Sequence, residues 1–155
     1  MRRKDKEMDA DGAIELLNSC AYGILSTVDN DGQPYGIPLN YVYKDNHIYF
    51  HSALTGHKID NIKDNSKVSF CVVADANVLP SKFATEYKSV VISGVASEAH
   101  GLERSNAFLW LIEKYSPEYM EEGQRYIEKH DKVTTVIRIS IAHIGGKQSP
   151  AQPRS

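Results

Sequence analysis

HIYFHSALTGHKIDNI, residues 47–62, changes from a strand pattern to a helix pattern at a short turn of small residues. Its first four residues are aromatic, β-branched or histidine, a composition that favours a strand. Gly56 interrupts this pattern, and two isoleucines then recur at helical spacing. The stretch therefore predicts a strand that ends near His51, a tight turn, and a short helix over residues 58–63.

A helix that begins directly after such a turn can hold an anion. Its first backbone N–H groups are unpaired, and the helix dipole places partial positive charge at the same end. Ser52 and Thr55 can add hydroxyl donors, and Lys58 adds a full positive charge. On these residues alone, a phosphate site and an ordinary turn with a solvated lysine are equally good interpretations.

Size and composition set broad limits on function. The chain has 155 residues, of which 41% are hydrophobic and 25% are charged, and its formal net charge is −2. These values predict one globular domain with its own core, and they argue against a general nucleic-acid binder, which would carry a basic excess. Two cysteines, no secretory leader and no apolar run of about 20 residues predict a cytoplasmic protein that does not span a membrane.

The first half of the chain predicts a β meander. A first helix, capped by Asp9 or Asp11, precedes three strands joined by tight turns. The second of these strands is predicted to run unbroken over residues 34–43, because apolar and polar residues alternate there.

The second half adds further strands and two helices. Residues 67–73 are apolar enough for a strand buried on both faces, and residues 75–82 are predicted as a loop. Strands are also predicted over residues 89–98, with a bulge or close approach at Gly94, and over residues 133–141. Since helices do not alternate with strands, we expect a mainly β fold with helices, in which six mostly antiparallel strands form a barrel. An irregular tail is predicted from residue 145.

Histidines and cysteines are the other candidates for chemistry. His47 and His51 are four residues apart, which on a strand separates them by about 13 Å, too far for one metal ion. Cys20 at a helix end and Cys71 in an apolar strand occupy places where unreactive thiols are usual. We therefore predict no metal site. The sequence also lacks the glycine patterns of P-loops and dinucleotide-binding sites, so any phosphate site has to come from the turn at residues 52–58.

Several sequence blocks occur in a characteristic order. They are MRRKDKEM at residues 1–8, GIPLN at 36–40, YFHSA at 49–53, GHK at 56–58 and FATEYKSVV at 83–91. This ordered set resembles the nitroimidazole-resistance (Nim) proteins of the pyridoxamine 5′-phosphate oxidase-like flavoproteins. The resemblance implies a split β-barrel of FMN-binding type over residues 1–147, followed by a flexible tail over residues 148–155. It also implies a homodimer with flavin at the subunit interface.

The resemblance implies FMN, with FAD as the alternative, and indicates which residues hold it. The implied cofactor-binding residues are Ile37, Pro38, Leu39, Asn40, Tyr41, His51, Ser52, Ala53, Gly56, His57 and Lys58. Pro38 removes one donor from its strand, which can leave neighbouring groups free for a ligand. His51 is the predicted catalytic residue, since a side chain with an ordinary pKa of about 6.5 can exchange a proton near neutral pH beside a flavin.

The family chemistry implied is reduction of a small oxidised substrate, such as the nitro group of a 5-nitroimidazole. Two alternatives stay open at this point. The chain could be a flavin-binding or storage module without turnover, because binding and catalytic residues overlap here. It could instead be a haem-handling split barrel that uses a histidine as axial ligand.

Overall fold

The computed structural model describes residues 3–150, and in that range it shows seven strands and four helices. The strands are β1 (Gly23–Val28), β2 (Pro34–Leu39), β3 (Val42–Lys44), β4 (His47–Ala53), β5 (Lys67–Leu79), β6 (Ala84–Glu98) and β7 (Thr134–Ser149). The helices are α1 (Ala10–Ser19), α2 (His57–Asp64), α3 (Gly101–Tyr115) and α4 (Met120–His130).

The seven strands form one antiparallel sheet in the order β2–β1–β5–β6–β7–β4–β3. One side of the sheet surrounds a core of buried apolar residues, to which α1 and α2 also contribute. β2 and β3 are left as the two edges. The predicted antiparallel β fold with helices is confirmed, but the predicted count of six strands is wrong by one.

The additional strand arises because the predicted strand over residues 34–43 is divided at Asn40 and Tyr41. The side-chain amide of Asn40 donates a hydrogen bond to the carbonyl oxygen of Ala21 at 3.0 Å. The backbone N–H of Tyr41 donates to the hydroxyl of Tyr115 at 3.0 Å. These contacts replace strand pairing, so β2 ends at Leu39 and a separate β3 begins at Val42, directly after Tyr41.

Helix α1 covers one end of the core. The carboxylate of Asp9 accepts a hydrogen bond from the backbone N–H of Gly12 at 2.8 Å. Of the two predicted caps, Asp9 is therefore the one that the structure shows. The helix buries three residues against the sheet: Ala13, Leu16 and Leu17. The hydroxyl of the fully buried Tyr41 donates to the carbonyl oxygen of Leu17, which ties the strand break to this helix.

Strands β5 and β6 continue as a two-stranded arm. The loop predicted over residues 75–82 is wrong for its first part, because β5 extends to Leu79 after a register shift between Ala74 and Asn77. A short 3₁₀ turn, Pro80–Lys82, then leads to Phe83, which is 99% exposed.

Strand β7 is also longer than predicted. It pairs with β6 as far as Ser149, and Gln148 is buried, so the irregular chain predicted from residue 145 is wrong for residues 145–149. The last five residues of the predicted tail, 151–155, lie outside the described residues.

The outer face of β1, β5 and β6 carries small and aliphatic side chains. Ile24, Cys71 and Val91 are directly cross-paired on it, and Val73 and Val91 are 58% and 50% exposed. The prediction that residues 67–73 are buried on both faces is therefore wrong for a single chain. Strict alternation sends every second residue of this strand outward.

Helices α3 and α4 lie outside the barrel. Ala107, Phe108 and Leu111 of α3 form a second buried cluster with residues of β3, β4 and β7. By contrast, none of the eleven residues of α4 is buried. No helix within residues 3–150 combines the length and the hydropathy needed to cross a membrane.

Gly94 lies at a register shift between β6 and β7, as the sequence predicts. A Cβ at this position would lie 2.5 Å from the carbonyl oxygen of Ser140, a backbone atom that cannot move aside. We expect Gly94→Ala to lower the free energy of unfolding by about 1–3 kcal/mol, measured by urea denaturation. Gly36→Ala is the control, because its Cβ would meet no atom closer than 3.7 Å. Equal losses in the two variants would contradict this account.

Candidate functional site

His51 and Ser52 point to opposite sides of β4. The side chain of His51 is exposed on the outer side, as is that of Ala53. Ser52 faces the barrel interior, is 5% exposed, and its hydroxyl has no hydrogen-bond partner among the described residues. A buried polar group without a partner is uncommon in proteins. The two adjacent predicted residues therefore serve different surfaces of the site.

The turn after β4 presents an open helix terminus. Gly56 has φ 134°, a conformation that favours glycine, and no atom lies within 4 Å of the place where its Cβ would be. It directly precedes α2, and no side chain caps that helix. The backbone N–H groups at this end are thus available to an anion. His57 contacts Tyr35 at the start of β2, with ring centroids 4.4 Å apart.

Lys58 and His51 lie close enough to influence each other electrostatically. The surrounding protein removes part of the hydration of the His51 imidazole and lowers its pKa, and the positive charge of Lys58 lowers this pKa further. His51 therefore favours the neutral form near pH 7. The charge of the predicted phosphate ligand therefore acts on the predicted proton carrier.

Strand alternation also places the side chains of the second predicted segment, residues 37–41, in different environments. Pro38 is exposed on the outer face of β2, whereas Ile37 and Leu39 pack against the core. Asn40 is exposed at the strand break. The side chain of Tyr41 is fully buried and its hydroxyl is bonded to the carbonyl oxygen of Leu17, so a contact of Tyr41 with the cofactor stays a prediction for its backbone.

A cavity of about 540 Å³ opens between β4, α3 and α4. His51 and Asn40 line it on the sheet side, and they are the predicted site residues that it brings together. Its other walls are mainly apolar and aromatic: Phe108, Leu111, Ile112, Tyr115, Ser116, Tyr119, Glu122, Gly123, Tyr126, Ile127, His130 and Thr134. The sequence reasoning did not assign any of these twelve residues to the site.

One face of α4, extended back by Tyr119, forms the outer wall of this cavity. Its lining residues Tyr119, Glu122, Tyr126 and His130 recur at helical spacing, which is the one signal in the sequence that could have identified them. Gly123 lets α4 approach α3, because a Cβ there would lie 2.9 Å from the Ile112 side chain.

A second cavity, of about 190 Å³, lies beside α1 and contains none of the predicted site residues. Within residues 3–150, no three or more histidine, cysteine or acidic side chains come together in an arrangement suited to a metal ion. The larger cavity is therefore the place where the predicted chemistry and an enclosed volume coincide.

A family model described as pyridoxamine 5′-phosphate oxidase matches residues 9–148. A curated relative, the uncharacterised protein RA0666 of Rhizobium meliloti, is 31% identical over 98 residues. That match covers 60% of this chain and 59% of the relative, so the chain spans less than two thirds of that protein's length.

Solved structures share the fold at low sequence identity. Protein Rv2991 of Mycobacterium tuberculosis has a TM-score of 0.83 at 20% identity, covering 99% of this chain and 94% of that one. An FAD and haem binding protein of Mycobacterium smegmatis has a TM-score of 0.80 at 16% identity, covering 97% and 76%. A candidate 5-nitroimidazole antibiotic resistance protein of Bacteroides thetaiotaomicron has a TM-score of 0.76 at 17% identity, covering 92% and 86%. Together with the family match, these similarities confirm the predicted split-barrel class.

The position of Lys58 makes a prediction about His51. Lys58→Ala removes a positive charge that disfavours imidazolium, so the pKa of His51 should rise, yet stay below about 6.5 because the loss of hydration persists. NMR titration of the histidine ring protons measures this shift. Lys63→Ala, in the last turn of the same helix, is the control and should leave the pKa of His51 unchanged. A fall in the pKa of His51 in Lys58→Ala would contradict the arrangement.

Proposed function

The chain belongs to the pyridoxamine 5′-phosphate oxidase family, and on that premise we propose that it is an FMN-dependent reductase of small oxidised compounds. One observation carries the proposal. The uncapped start of α2 with Lys58 adjoins His51, and His51 lines a mainly apolar cavity of about 540 Å³. An anion-binding turn, a proton carrier and a space for an organic molecule are thus contiguous.

The residues at the start of α2 fit the phosphate of FMN. The backbone N–H groups of His57 and Lys58 and the ammonium group of Lys58 would bind the phosphate, and the open space at Gly56 leaves room for it. The buried hydroxyl of Ser52, which has no partner in the described structure, lies in the strand that leads into this turn. FAD shares this phosphate chemistry, and the mass of the extracted cofactor distinguishes the two.

The ring of the cofactor would lie between the turn and β2. Pro38 and Asn40 are accessible there, and Pro38 has no N–H to give to a neighbouring strand. Bound flavin supplies electrons in pairs to a substrate placed against it. His51 would take up a proton from solvent and pass it to the substrate, and its lowered pKa makes the imidazolium release that proton readily.

The finer proposal concerns the substrate. The sequence blocks shared in order with the Nim proteins support reduction of the nitro group of 5-nitroimidazoles towards an amine. Paired electron transfer would avoid the one-electron nitro radical. The mainly apolar cavity beside His51 supports an uncharged organic substrate of this kind.

We also propose that two copies of the chain form the working unit. The outer face of β1, β5 and β6 leaves Val73, Val91 and Val95 between 45% and 58% exposed, an apolar patch that favours a partner. Gly36 and Pro38 of β2 are cross-paired with Ser26 and Ile24 of β1, so this face continues into the segment assigned to the flavin ring. A second copy on this face would therefore adjoin the cofactor.

The cofactor assignment predicts the effect of Lys58→Ala on FMN affinity. Removing a charge-assisted contact, typically worth about 1.5–3 kcal/mol, should weaken FMN binding roughly tenfold or more, as measured by flavin fluorescence titration. Lys63→Ala should bind FMN like the parent. If Lys58→Ala also binds FMN like the parent, the phosphate lies elsewhere.

A Soret band in the purified parent would point to haem in place of flavin.

The catalytic assignment predicts that His51→Ala retains flavin but loses reductive activity. General acid–base groups contribute roughly 10²–10⁴-fold, so the turnover rate per bound flavin should fall by about that factor. Because the imidazolium is the proton donor, the parent rate should fall as the pH rises through the lowered pKa of His51, below about 6.5, and this limb should vanish in the variant. His47→Ala, on the same strand, is the control. Unchanged turnover with an unchanged limb would remove His51 from the mechanism.

The proposed interface predicts that Val91→Asp disrupts the dimer. Burying a carboxylate against an apolar face without a partner is costly, so sedimentation at micromolar concentration should show monomer in this variant and dimer in the parent. Val133→Asp, at a comparably exposed valine outside this face, should stay dimeric. A parent that sediments as a monomer with flavin bound would refute the interface.

A further inference from the structure

The cavity beside His51 is almost without charge. Among the described residues that line it, Glu122 is the one carboxylate, and none is lysine or arginine. Lys58, which is close enough to affect His51, does not line the cavity, and in the proposed function it is engaged by the cofactor phosphate. An anion that entered this space would lose hydration and gain no cationic partner, which is unfavourable.

The aromatic walls favour a flat molecule. Tyr119 and Tyr126 are 60% and 65% exposed, although both line the cavity, so their rings have faces free for stacking. The Tyr126 ring already has His130 on one side, with centroids 4.1 Å apart. Aromatic rings attract both other aromatic rings and cations, because their faces carry partial negative charge.

The inner face of α4 is only partly covered by α3. None of its residues is buried, yet its cavity-facing side includes Gly123, Tyr126 and Ile127, whose apolar surface is left partly uncovered. A small molecule in the cavity would cover this surface. A volume of about 540 Å³ lies within the range of typical small-molecule sites.

We propose that this cavity binds neutral or cationic planar aromatic compounds and rejects anionic ones, and that Glu122 sets this charge preference. This proposal rests on the proposed function only where it makes such a compound the substrate. The charge preference also distinguishes this chain from an enzyme that oxidises a phosphorylated pyridine, the compound in the family's name, because a phosphate in this cavity would meet Glu122 and no lysine or arginine.

The test uses three probes that share one ring and differ in charge: 4-nitrobenzylamine, 4-nitrobenzyl alcohol and 4-nitrobenzoate. Binding to the full chain is measured by calorimetry, with saturating oxidised FMN and no reductant. We expect the cation to bind at least as tightly as the alcohol, and the anion at least about tenfold more weakly than the cation. Equal or tighter binding of the anion, or no binding of any probe, would overturn the proposal.

Charge variants on α4 locate the effect. Glu122→Gln should remove the advantage of the cation over the alcohol, and Glu122→Lys should shift the ratio of anion to cation affinity by at least about threefold towards the anion. Glu121→Lys is the matched control, because this substitution changes the net charge by the same amount at a residue that does not line the cavity. An unaltered order of affinities in Glu122→Lys, or the same shift in Glu121→Lys, would refute the role of Glu122.

Two further outcomes distinguish failure of the proposed function from failure of the charge preference. If FMN does not bind but the probes still follow the charge order, the proposed function fails and the charge preference stands. If the arm of a second copy fills the cavity, Phe83→Ala should strengthen all three probes equally, with no order by charge. That result would overturn the preference.

Discussion

The hydroxyl group of Tyr115 in α3 joins the break between β2 and β3 to the segment that follows α1. It accepts a hydrogen bond from the backbone N–H of Tyr41, and it lies 2.7 Å and 3.0 Å from the carbonyl oxygens of Ala21 and Tyr41. Leaving the backbone N–H of the buried Tyr41 unpaired would cost about 1–3 kcal/mol. Because Tyr115 also lines the large cavity, the contact that satisfies the strand break fixes one wall of the candidate site.

Much of the fold could be predicted because its signals are local. The strand, turn and helix of residues 47–62, the cap at Asp9 and the close approach at Gly94 each depend on residues near one another in the sequence. The break at Asn40 and Tyr41 could not be predicted, because the hydroxyl that satisfies Tyr41 comes from 74 residues further along the chain. The long arm of β5 and β6 was missed for a related reason, since the pairing of two strands outweighed the loop-like composition of residues 75–79.

The candidate site was predicted only in part, because a run of consecutive residues was treated as one surface. In a strand, neighbouring side chains face opposite sides, so His51 reaches the cavity whereas Ser52 and Tyr41 face the core. The walls from α4 were not assigned to the site from the sequence. A helix face that meets a core and one that meets a cavity have the same spacing, and only the tertiary structure distinguishes them.

The absence of buried residues in α4 means that one wall of the cavity contributes little to the stability of the barrel. Substitutions on this helix can alter the shape and charge of the cavity without competing with the folding of the sheet. Related chains could therefore diverge in ligand choice by drift within a single surface helix, while the strand and turn that carry His51 and Lys58 stay constant. The architecture separates the part that can vary from the part to which the proposed chemistry is assigned, which allows one scaffold to acquire new specificities at little cost in stability.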